Sequence, residues 1–424
     1  MAAALFIIFL GALVIGIPVC LALLISASAS LYAFSNTPMI FVVQKIFTSL
    51  DSFSMMAIPF FMIAGGLFDK GGVSKRLVNF ANSLVGWLPG GLAIVVFVAS
   101  AFFGAISGSA SATVAAIGSI MLPALLEEGY STKFSLATIA AGGFLGIIIP
   151  PSIPMVIYSI AASTSVGDVF TGGFIPGIML VTGMSICALI YGKRHITARR
   201  KFDIREVGRT FKGAIWALIM PAIILGGING GIFTPTEAAG VACVYGLFVG
   251  FVVYHELNIK SLLEIMKNAV SSTSMIMMII CCATVFGTVM TREMIPQKVC
   301  NLITEVASTP LQFMVLVMLL LFVVGMFLDT APAVMILTPI LAPALPVYGI
   351  SPVAFGVIMI VNLGIGLVTP PVGMNLYVAA SLKKAGIEEV VCSHLWWYVL
   401  ADVIVLGLLV LFPDIVTWLP ELVR

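Results

Sequence analysis

The sequence predicts an all-α polytopic membrane protein built from two related halves, and three observations lead to this fold class. Hydrophobic residues fill 61% of the 424 positions and charged residues only 9%. Mean hydropathy is +1.20, so most of the surface must face hydrocarbon and a soluble fold is excluded. Apolar runs of about 20 residues without period-2 alternation indicate helices, because in lipid the backbone must satisfy its own hydrogen bonds. The third observation is a glycine and proline pattern that occurs twice.

Composition also excludes several classes of function. The net charge of +2 is small, and no basic arm is present, so nucleic acid is not expected as a partner. Seven scattered cysteines form no paired CxxC motif, and the three histidines lie far apart, which argues against disulfides, zinc sites and histidine chemistry. No GxxxxGK(S/T) motif occurs, so ATP is not expected as the energy source of this chain.

Fourteen apolar segments follow one another along the chain. They lie near 2–17, 18–34, 52–69, 89–106, 110–126, 132–162, 173–192, 213–230, 236–254, 271–290, 311–328, 331–347, 352–380 and 396–419. Both 132–162 and 352–380 contain proline pairs, and proline removes a backbone donor and clashes with the preceding turn, so both are predicted to be broken helices. We expect 2–34 to divide at Pro18, with one kinked helix as the alternative.

The distribution of lysine and arginine predicts the orientation. These residues stay on the cytoplasmic side of membranes, and eight of them lie between Lys193 and Lys212. If 89–127 and 311–347 are re-entrant hairpins and the other segments cross once, 20 − 4 = 16 basic residues lie inside. The four outside are Lys45, Arg292, Lys298 and Arg424. This asymmetry predicts about 10–11 transmembrane helices, two hairpins and periplasmic termini.

Two smaller features concern the surface of the membrane. The N-terminal apolar run has no preceding lysine or arginine, so we expect an uncleaved anchor, although Ser26–Ser30 loosely resembles a cleavage site. One apolar helical face is predicted within 259–270, formed by Ile259, Leu262, Leu263, Met266 and Val270. This stretch is either an ordinary connector or an interfacial arm helix that braces a scaffold.

The repeated pattern predicts an internal duplication, with halves 1–212 and 213–424. Glycine and proline carry the match because they fix backbone geometry, and the offset is constant, with 366 − 146 = 220. The matched residues are Gly146, Pro150 and Pro151 with Gly366, Pro370 and Pro371. They fall in the broken helices 131–162 and 352–380, and in the predicted topology the second broken helix is the fifth crossing after the first. Because five is odd, the halves are predicted to be inverted.

Inverted repeats with matched helix breaks are typical of secondary transporters whose binding site lies near the middle of the bilayer. The first hairpin turn carries small and hydroxyl-bearing residues from Ser107 to Thr113, and their oxygens could hold Na⁺. The alternative is that serine and glycine only pack helices there. At the corresponding turn, Asp329 is a carboxylate between apolar helices, which indicates function unless it is simply exposed in a wide turn. We expect each hairpin tip to face the break that follows it, although plain kinked helices remain possible.

The string Gly230–Ala239 (GGIFTPTEAA), the SGSASAT turn and the proline pair before Ser152 resemble the large membrane subunit of tripartite ATP-independent periplasmic (TRAP) transporters. The resemblance covers essentially the whole chain. It implies a protein of the bacterial inner membrane that works with a small four-helix membrane subunit and a soluble periplasmic substrate-binding protein. It also implies Na⁺-coupled import of an organic acid, of the sialic acid or C4-dicarboxylate class, by an elevator mechanism. No cofactor other than the coupling ion is implied.

The resemblance also implies which residues form the sites. The first Na⁺ site would involve Ser107, Gly108, Ser109, Gly146 and Pro150, and the second Asp329, Thr330, Gly366 and Thr369. Substrate would lie between them, near Ser111, Thr113, Ser152 and Asn375. Two other functions stay open: an ion-coupled carrier of this architecture that needs no partner, and a membrane-embedded enzyme. The enzyme would need an acid-base or nucleophile set, and Asp329 has no evident partner for one.

Overall fold

A computed structural model describes residues 1–195 and 201–423 of the chain, and this part contains helices and no strand. The predicted all-α class is confirmed. The helices are α1 Ala2–Val14, α2 Val19–Phe34, α3 Ile40–Leu50, α4 Ala57–Lys70, α5 Val73–Val85, α6 Gly91–Ser107, α7 Ala110–Glu127, α8 Thr132–Gly143, α9 Ile153–Ala161, α10 Val166–His195, α11 Ile204–Asn229, α12 Pro235–Phe248, α13 Ile259–Arg292, α14 Ile295–Val306, α15 Pro310–Phe327, α16 Thr330–Leu341, α17 Pro352–Gly366, α18 Met374–Ser381, α19 Ile387–Val390, α20 Ser393–Leu411 and α21 Asp414–Val423. Short 3₁₀ turns precede α4 and follow α8 and α16, and a π-helical turn follows α12.

The predicted hairpins and breaks correspond to pairs of helices. Within 89–127, α6 and α7 are joined by Gly108 and Ser109, and within 311–347, α15 and α16 are joined by Leu328 and Asp329. Helix α8 gives way to a 3₁₀ turn and then to non-helical chain through the first proline pair before α9 begins. Helix α17 likewise ends before the second proline pair, and α18 begins beyond it.

Helix boundaries repeat at the offset found in the sequence. Helices α7 and α16 begin at Ala110 and Thr330, with 330 − 110 = 220, and α8 and α17 begin at Thr132 and Pro352, with 352 − 132 = 220. The left-handed turns before α8 and α17 use Gly129 and Gly349 at φ 87° and 63°, a conformation that only glycine adopts freely. The duplication therefore extends to backbone geometry, while the inverted orientation stays a prediction.

Some sequence-based expectations need correction or lie outside the structure. The stretch 259–270 is not a connector but the first part of the continuous helix α13, because no glycine or proline interrupts the chain between Ile259 and Phe286. Its role as an interfacial arm that braces a scaffold stays a prediction. Segment 2–34 does divide, into α1 and α2. The boundary proposed at 212/213 falls inside α11. Arg199, Arg200 and Arg424, used in predicting the topology, lie outside the described residues.

Nine helices in the described part of the chain are long and apolar enough to cross a membrane. Six shorter apolar helices of 10–17 residues accompany them, including α1, α2, α6 and α17. The chain is therefore a multi-pass membrane protein, and which of the shorter helices also cross the bilayer stays a prediction.

A contact between the halves holds the two broken helices together. Tyr158 on α9 is completely buried, and its hydroxyl donates a hydrogen bond to the carbonyl oxygen of Pro352 at 2.7 Å. Its ring fills the space beside Gly356 on α17, where a Cβ atom would overlap the ring carbons. This contact fixes the two breaks relative to each other.

We therefore expect Gly356→Ala to destabilise the protein by about 1–3 kcal/mol, the usual cost of overpacking a core. The matched control is Gly407→Ala on α20, where no atom lies within 4 Å of the added methyl group, so helix propensity alone favours alanine. Thermal unfolding of both variants in detergent measures the difference. Equal midpoints would contradict this description of the contact.

Candidate functional site

The tip of the first hairpin packs directly on the first break. The amide of Ile153 donates to the carbonyl oxygen of Gly108 at 3.3 Å. A Cβ atom at Gly104 would lie 2.8 Å from the Cα of Gly146, so only glycine permits this approach. The hydroxyl of Thr113 donates to the carbonyl oxygen of Ser109 at 2.8 Å and lies 3.2 Å from the hydroxyl of Ser107. Backbone and hydroxyl oxygens are thus concentrated where the chain is broken.

The second hairpin packs on the second break in a similar way. The amides of Val372 and Gly373 both donate to the carbonyl oxygen of Met326 at 3.2 Å. Gly325 and Gly366 touch backbone to backbone and leave no room for a side chain. Both proline–proline bonds, Pro150–Pro151 and Pro370–Pro371, are cis.

One small cavity lies where the two tips and the two breaks meet, and its volume is about 60 Å³. Hairpin tips contribute Gly108, Ser109, Ser111 and Asp329, and the breaks contribute Ile147, Ile153, Leu367 and Asn375. Helices α4 and α13 close it with Met62 and Ile276. None of the described residues that line it is a lysine or an arginine. The cavity is therefore built from both halves of the chain and is bordered by two further helices.

Helix ends determine the electrostatics of this cavity. Residues in the first turns of α7, α9, α16 and α18 all border it, so four positive helix N-termini converge there. Three helical segments also end at the cavity: α6 before Gly108, the 3₁₀ turn after α8 at Ile147, and α17 before Leu367. The carbonyl groups at these C-terminal ends carry partial negative charge. Asp329 adds a full negative charge, with one carboxylate oxygen accepting from the amide of Thr330 at 2.8 Å. Such a site can hold an anion and cations side by side.

The predicted site residues divide into two groups in the structure. Those at the cavity are Gly108, Ser109, Ser111, Asp329 and Asn375. The remainder are buried and do not border the cavity. They are Ser107, Thr113, Gly146, Pro150, Ser152, Thr330, Gly366 and Thr369. Thr113 lies with Ser107 and Ser109, among the residues of the first predicted ion site rather than those of the substrate site. Ser152 is fully buried and donates to the carbonyl oxygen of Ile147 at 2.6 Å.

A wider cleft of about 380 Å³ adjoins the cavity and contains residues that the sequence did not single out. It is bordered by Ser107 and Ser109 of the first hairpin tip, by Gly65 and Asp69 of α4 and by Ser272 of α13. Both spaces share Met62, Ser109, Ser111 and Ile153, so the cleft is a route to the cavity. The glycine pair Gly65–Gly66 could have pointed to this part of α4, because paired small residues in a membrane helix indicate that another helix packs closely there.

Asp402 is a second residue that sequence reasoning missed. It lies on α20, is completely buried, and neither carboxylate oxygen has a hydrogen-bond partner among the described residues. The sequence could have drawn attention to it, because a lone acid within the apolar run 396–411 is unusual in a membrane helix. The residue does not border the cavity.

The GGIFTPTEAA string forms a structural turn. Gly231 has φ 67° between α11 and α12, and Thr234 and Glu237 form a reciprocal capping box at the start of α12. The hydroxyl of Thr236 donates to the carbonyl oxygen of Phe53 at 2.9 Å, which ties the turn to the segment before α4.

Comparison with known proteins agrees with these features. Residues 6–415 match the family described as "Tripartite ATP-independent periplasmic transporter, DctM component". The isethionate TRAP transporter permease protein DctMQ of Oleidesulfovibrio alaskensis is 43% identical over 89% of this chain, and the chain spans 60% of that protein's length. The C4-dicarboxylate TRAP transporter large permease protein DctM of Pseudomonas aeruginosa is 38% identical over 93% of this chain and 91% of its own.

The fold also has a solved counterpart. The YdaH transporter of Alcanivorax borkumensis superposes with a TM-score of 0.66 over 93% of this chain and 97% of its own, at 17% identity, a likeness of fold alone. The family match covers nearly all of the chain, including both hairpins and both breaks. The chain therefore belongs to the DctM family, the large membrane permease component of tripartite ATP-independent periplasmic transporters.

Proposed function

We propose that this permease imports a small organic anion together with Na⁺, and that a periplasmic binding protein delivers the anion. The observation that carries the proposal is the cavity at which both tips and both breaks meet. Four helix N-termini there favour an anion, while Asp329 and the oxygens freed at the breaks favour cations. Because no lysine or arginine lines the cavity among the described residues, bound Na⁺ and the helix termini supply the positive charge.

Within this proposal the two ion sites differ in charge. The first uses neutral oxygens around Ser107, Ser109 and Thr113, and the second uses Asp329. Two Na⁺ ions would then exceed the single carboxylate by one positive charge. That excess offsets the charge of a monoanion fully and that of a dianion in part, and it makes binding of the ions and the anion mutually dependent.

The size of the cavity supports a short substrate. The cavity of about 60 Å³ would have to widen to hold any of these acids, and it would widen least for a compact one such as isethionate or a C4-dicarboxylate. The relatives named for isethionate and C4-dicarboxylate transport are 43% and 38% identical to this chain. We therefore propose a short sulfonate or carboxylate as the substrate class.

An elevator movement is part of the proposal. The hairpins and broken helices enclose the cavity on most sides, while α4 and α13 contribute only Met62 and Ile276. The cleft bordered by Ser109 and Asp69 lies at the boundary between the two groups of helices. The hairpins and breaks would move as one body against the others and carry the cavity across the membrane.

Uptake into proteoliposomes tests the proposed function. The chain is reconstituted with its small membrane subunit, a Na⁺ gradient is imposed, and radiolabelled isethionate, succinate and sialic acid are compared with and without the binding protein. We expect accumulation of a short acid that needs both the gradient and the binding protein. Equal accumulation by the chain alone would identify an autonomous carrier, and product formation without accumulation would identify an enzyme.

Asp329→Asn tests the cation role of the second hairpin. Removing the charge should raise the Na⁺ concentration for half-maximal uptake at least about tenfold, which corresponds to about 1.4 kcal/mol of lost binding. Uptake is measured against Na⁺ at saturating substrate. Asp51→Asn is the control, because Asp51 is an exposed acid outside the cavity. An unaltered Na⁺ response in the Asp329 variant would remove this residue from the ion site.

Asn375→Asp tests the anion role of the cavity. The side chain keeps its size but places a negative charge beside the substrate, so the KM for the acid should rise at least about tenfold, since like charges in a protected site repel strongly. KM is measured at saturating Na⁺. Asn268→Asp on the exposed face of α13 is the control. If both variants show the parental KM, the anion does not lie beside Asn375.

A further inference from the structure

A second cavity, which shares no lining residue with the first, lies in a groove between α10 and α20. The groove has a volume of about 330 Å³, and its walls include Phe134, Cys187, Tyr191, Trp397 and Tyr398. The two helices run antiparallel, because Cys187 donates to the carbonyl oxygen of Trp397 at 3.6 Å while Gly183 lies against Ala401 and Val405. We call this feature the α10–α20 groove.

Stacked rings make the floor of the α10–α20 groove rigid. The rings of Phe134 and Tyr191 are parallel to within 12°, with centroids 3.7 Å apart. His394 meets Tyr191 edge-on at 5.0 Å. Tyr398 is completely buried and shares a hydrogen bond with the hydroxyl of Thr138 at 3.0 Å. The floor is therefore a preformed apolar surface, of the kind that receives a ligand without reorganising.

An apolar strip leads from the groove along the outer face of the same two helices. Its side chains are between 49% and 61% exposed, and they are Ile186, Ile190, Trp397, Leu400 and Ile404. Both helices are long and apolar enough to cross a membrane, so this strip runs along the bilayer normal. The cluster Trp396, Trp397 and Tyr398 at the start of α20 is typical of the level of the lipid headgroups.

Positive charge surrounds that same end of the groove. Arg194 lines it, and Lys133 and Lys193 are exposed next to the lining residues Phe134 and Arg194. In the sequence, Arg199, Arg200 and Lys201 follow directly. One acid, Glu128, lies near Tyr130, whose ring is close to the rings of both Phe134 and Tyr191. Basic residues outnumber acidic ones at the headgroup level, and basic pockets between membrane helices recognise anionic headgroups.

We propose that the α10–α20 groove binds one anionic phospholipid, with its phosphate at Arg194 and Lys133 and an acyl chain along the strip that ends at Ile404. The combination of an apolar strip, an aromatic floor and a basic rim matches the three parts of such a lipid. A zwitterionic lipid would leave the basic rim without a counter-charge. The site is separate from the transport cavity and does not depend on the substrate.

Quenching of Trp397 fluorescence by brominated lipids tests the proposal. The other four of the five tryptophans are replaced by phenylalanine, as Trp87→Phe, Trp216→Phe, Trp396→Phe and Trp418→Phe. The protein is placed in phosphatidylethanolamine nanodiscs that contain increasing fractions of brominated phosphatidylglycerol or brominated phosphatidylethanolamine. We expect phosphatidylglycerol to quench at a fraction at least about fivefold lower, since one basic residue near an anionic surface contributes about that factor.

Two variants and one control make the result specific. Arg194→Gln and Lys133→Gln should each reduce the preference for phosphatidylglycerol roughly fivefold. Lys267→Gln, an exposed lysine on α13 outside the groove, should leave it unchanged. Each variant is first checked for unaltered elution in size exclusion, and either of the two groove variants suffices if the other does not fold.

Three outcomes would overturn the proposal. Equal quenching by both lipids would reduce the groove to ordinary contact with the bilayer. A preference that survives both groove variants would exclude Arg194 and Lys133 as headgroup ligands. Loss of quenching on addition of the small membrane subunit would assign the groove to a protein helix instead of a lipid.

Discussion

Every feature of the site depends on one constraint: backbone groups inside a membrane must find hydrogen-bond partners within the protein. The two broken helices expose amides and carbonyls that no neighbouring turn can satisfy. Each break is therefore closed by a hairpin tip, through Ile153 and Gly108 in the first half and through Gly373 and Met326 in the second. The oxygens and amides that remain at these contacts are the polar groups available to a ligand.

This constraint also explains the distribution of small residues. Gly104 and Gly146 in one half, and Gly325 and Gly366 in the other, allow backbones to approach until a single methyl group would separate them. If a side chain held the hairpin tip away from the broken helix, the backbone groups at the break would be open to lipid. Glycine at these positions therefore has two effects. It lets the tip close the break, and it brings the polar backbone groups of tip and break together at the site.

The two halves share geometry but not chemistry. In the first half, hydroxyl groups of Ser107 and Thr113 and backbone oxygens surround the tip, whereas in the second half the carboxylate of Asp329 stands at the corresponding turn. A duplicated backbone provides two similar arrangements of helix termini, and side chains then give them different charge.

The sequence by itself determined the helical class, the repeated glycine and proline pattern and the breaks, because glycine and proline in an apolar chain have few interpretations. Its thirteen predicted site residues include the five that reach the cavity. It could not separate residues at the cavity from those behind it, since Ser111 and Thr113 are both hydroxyl-bearing residues of one helix turn, and only packing buries Thr113 while Ser111 borders the cavity. Nor could it find Met62, Asp69 or the α10–α20 groove. Those depend on which helices pack side by side, and contacts between distant segments arise only when the tertiary structure brings them together.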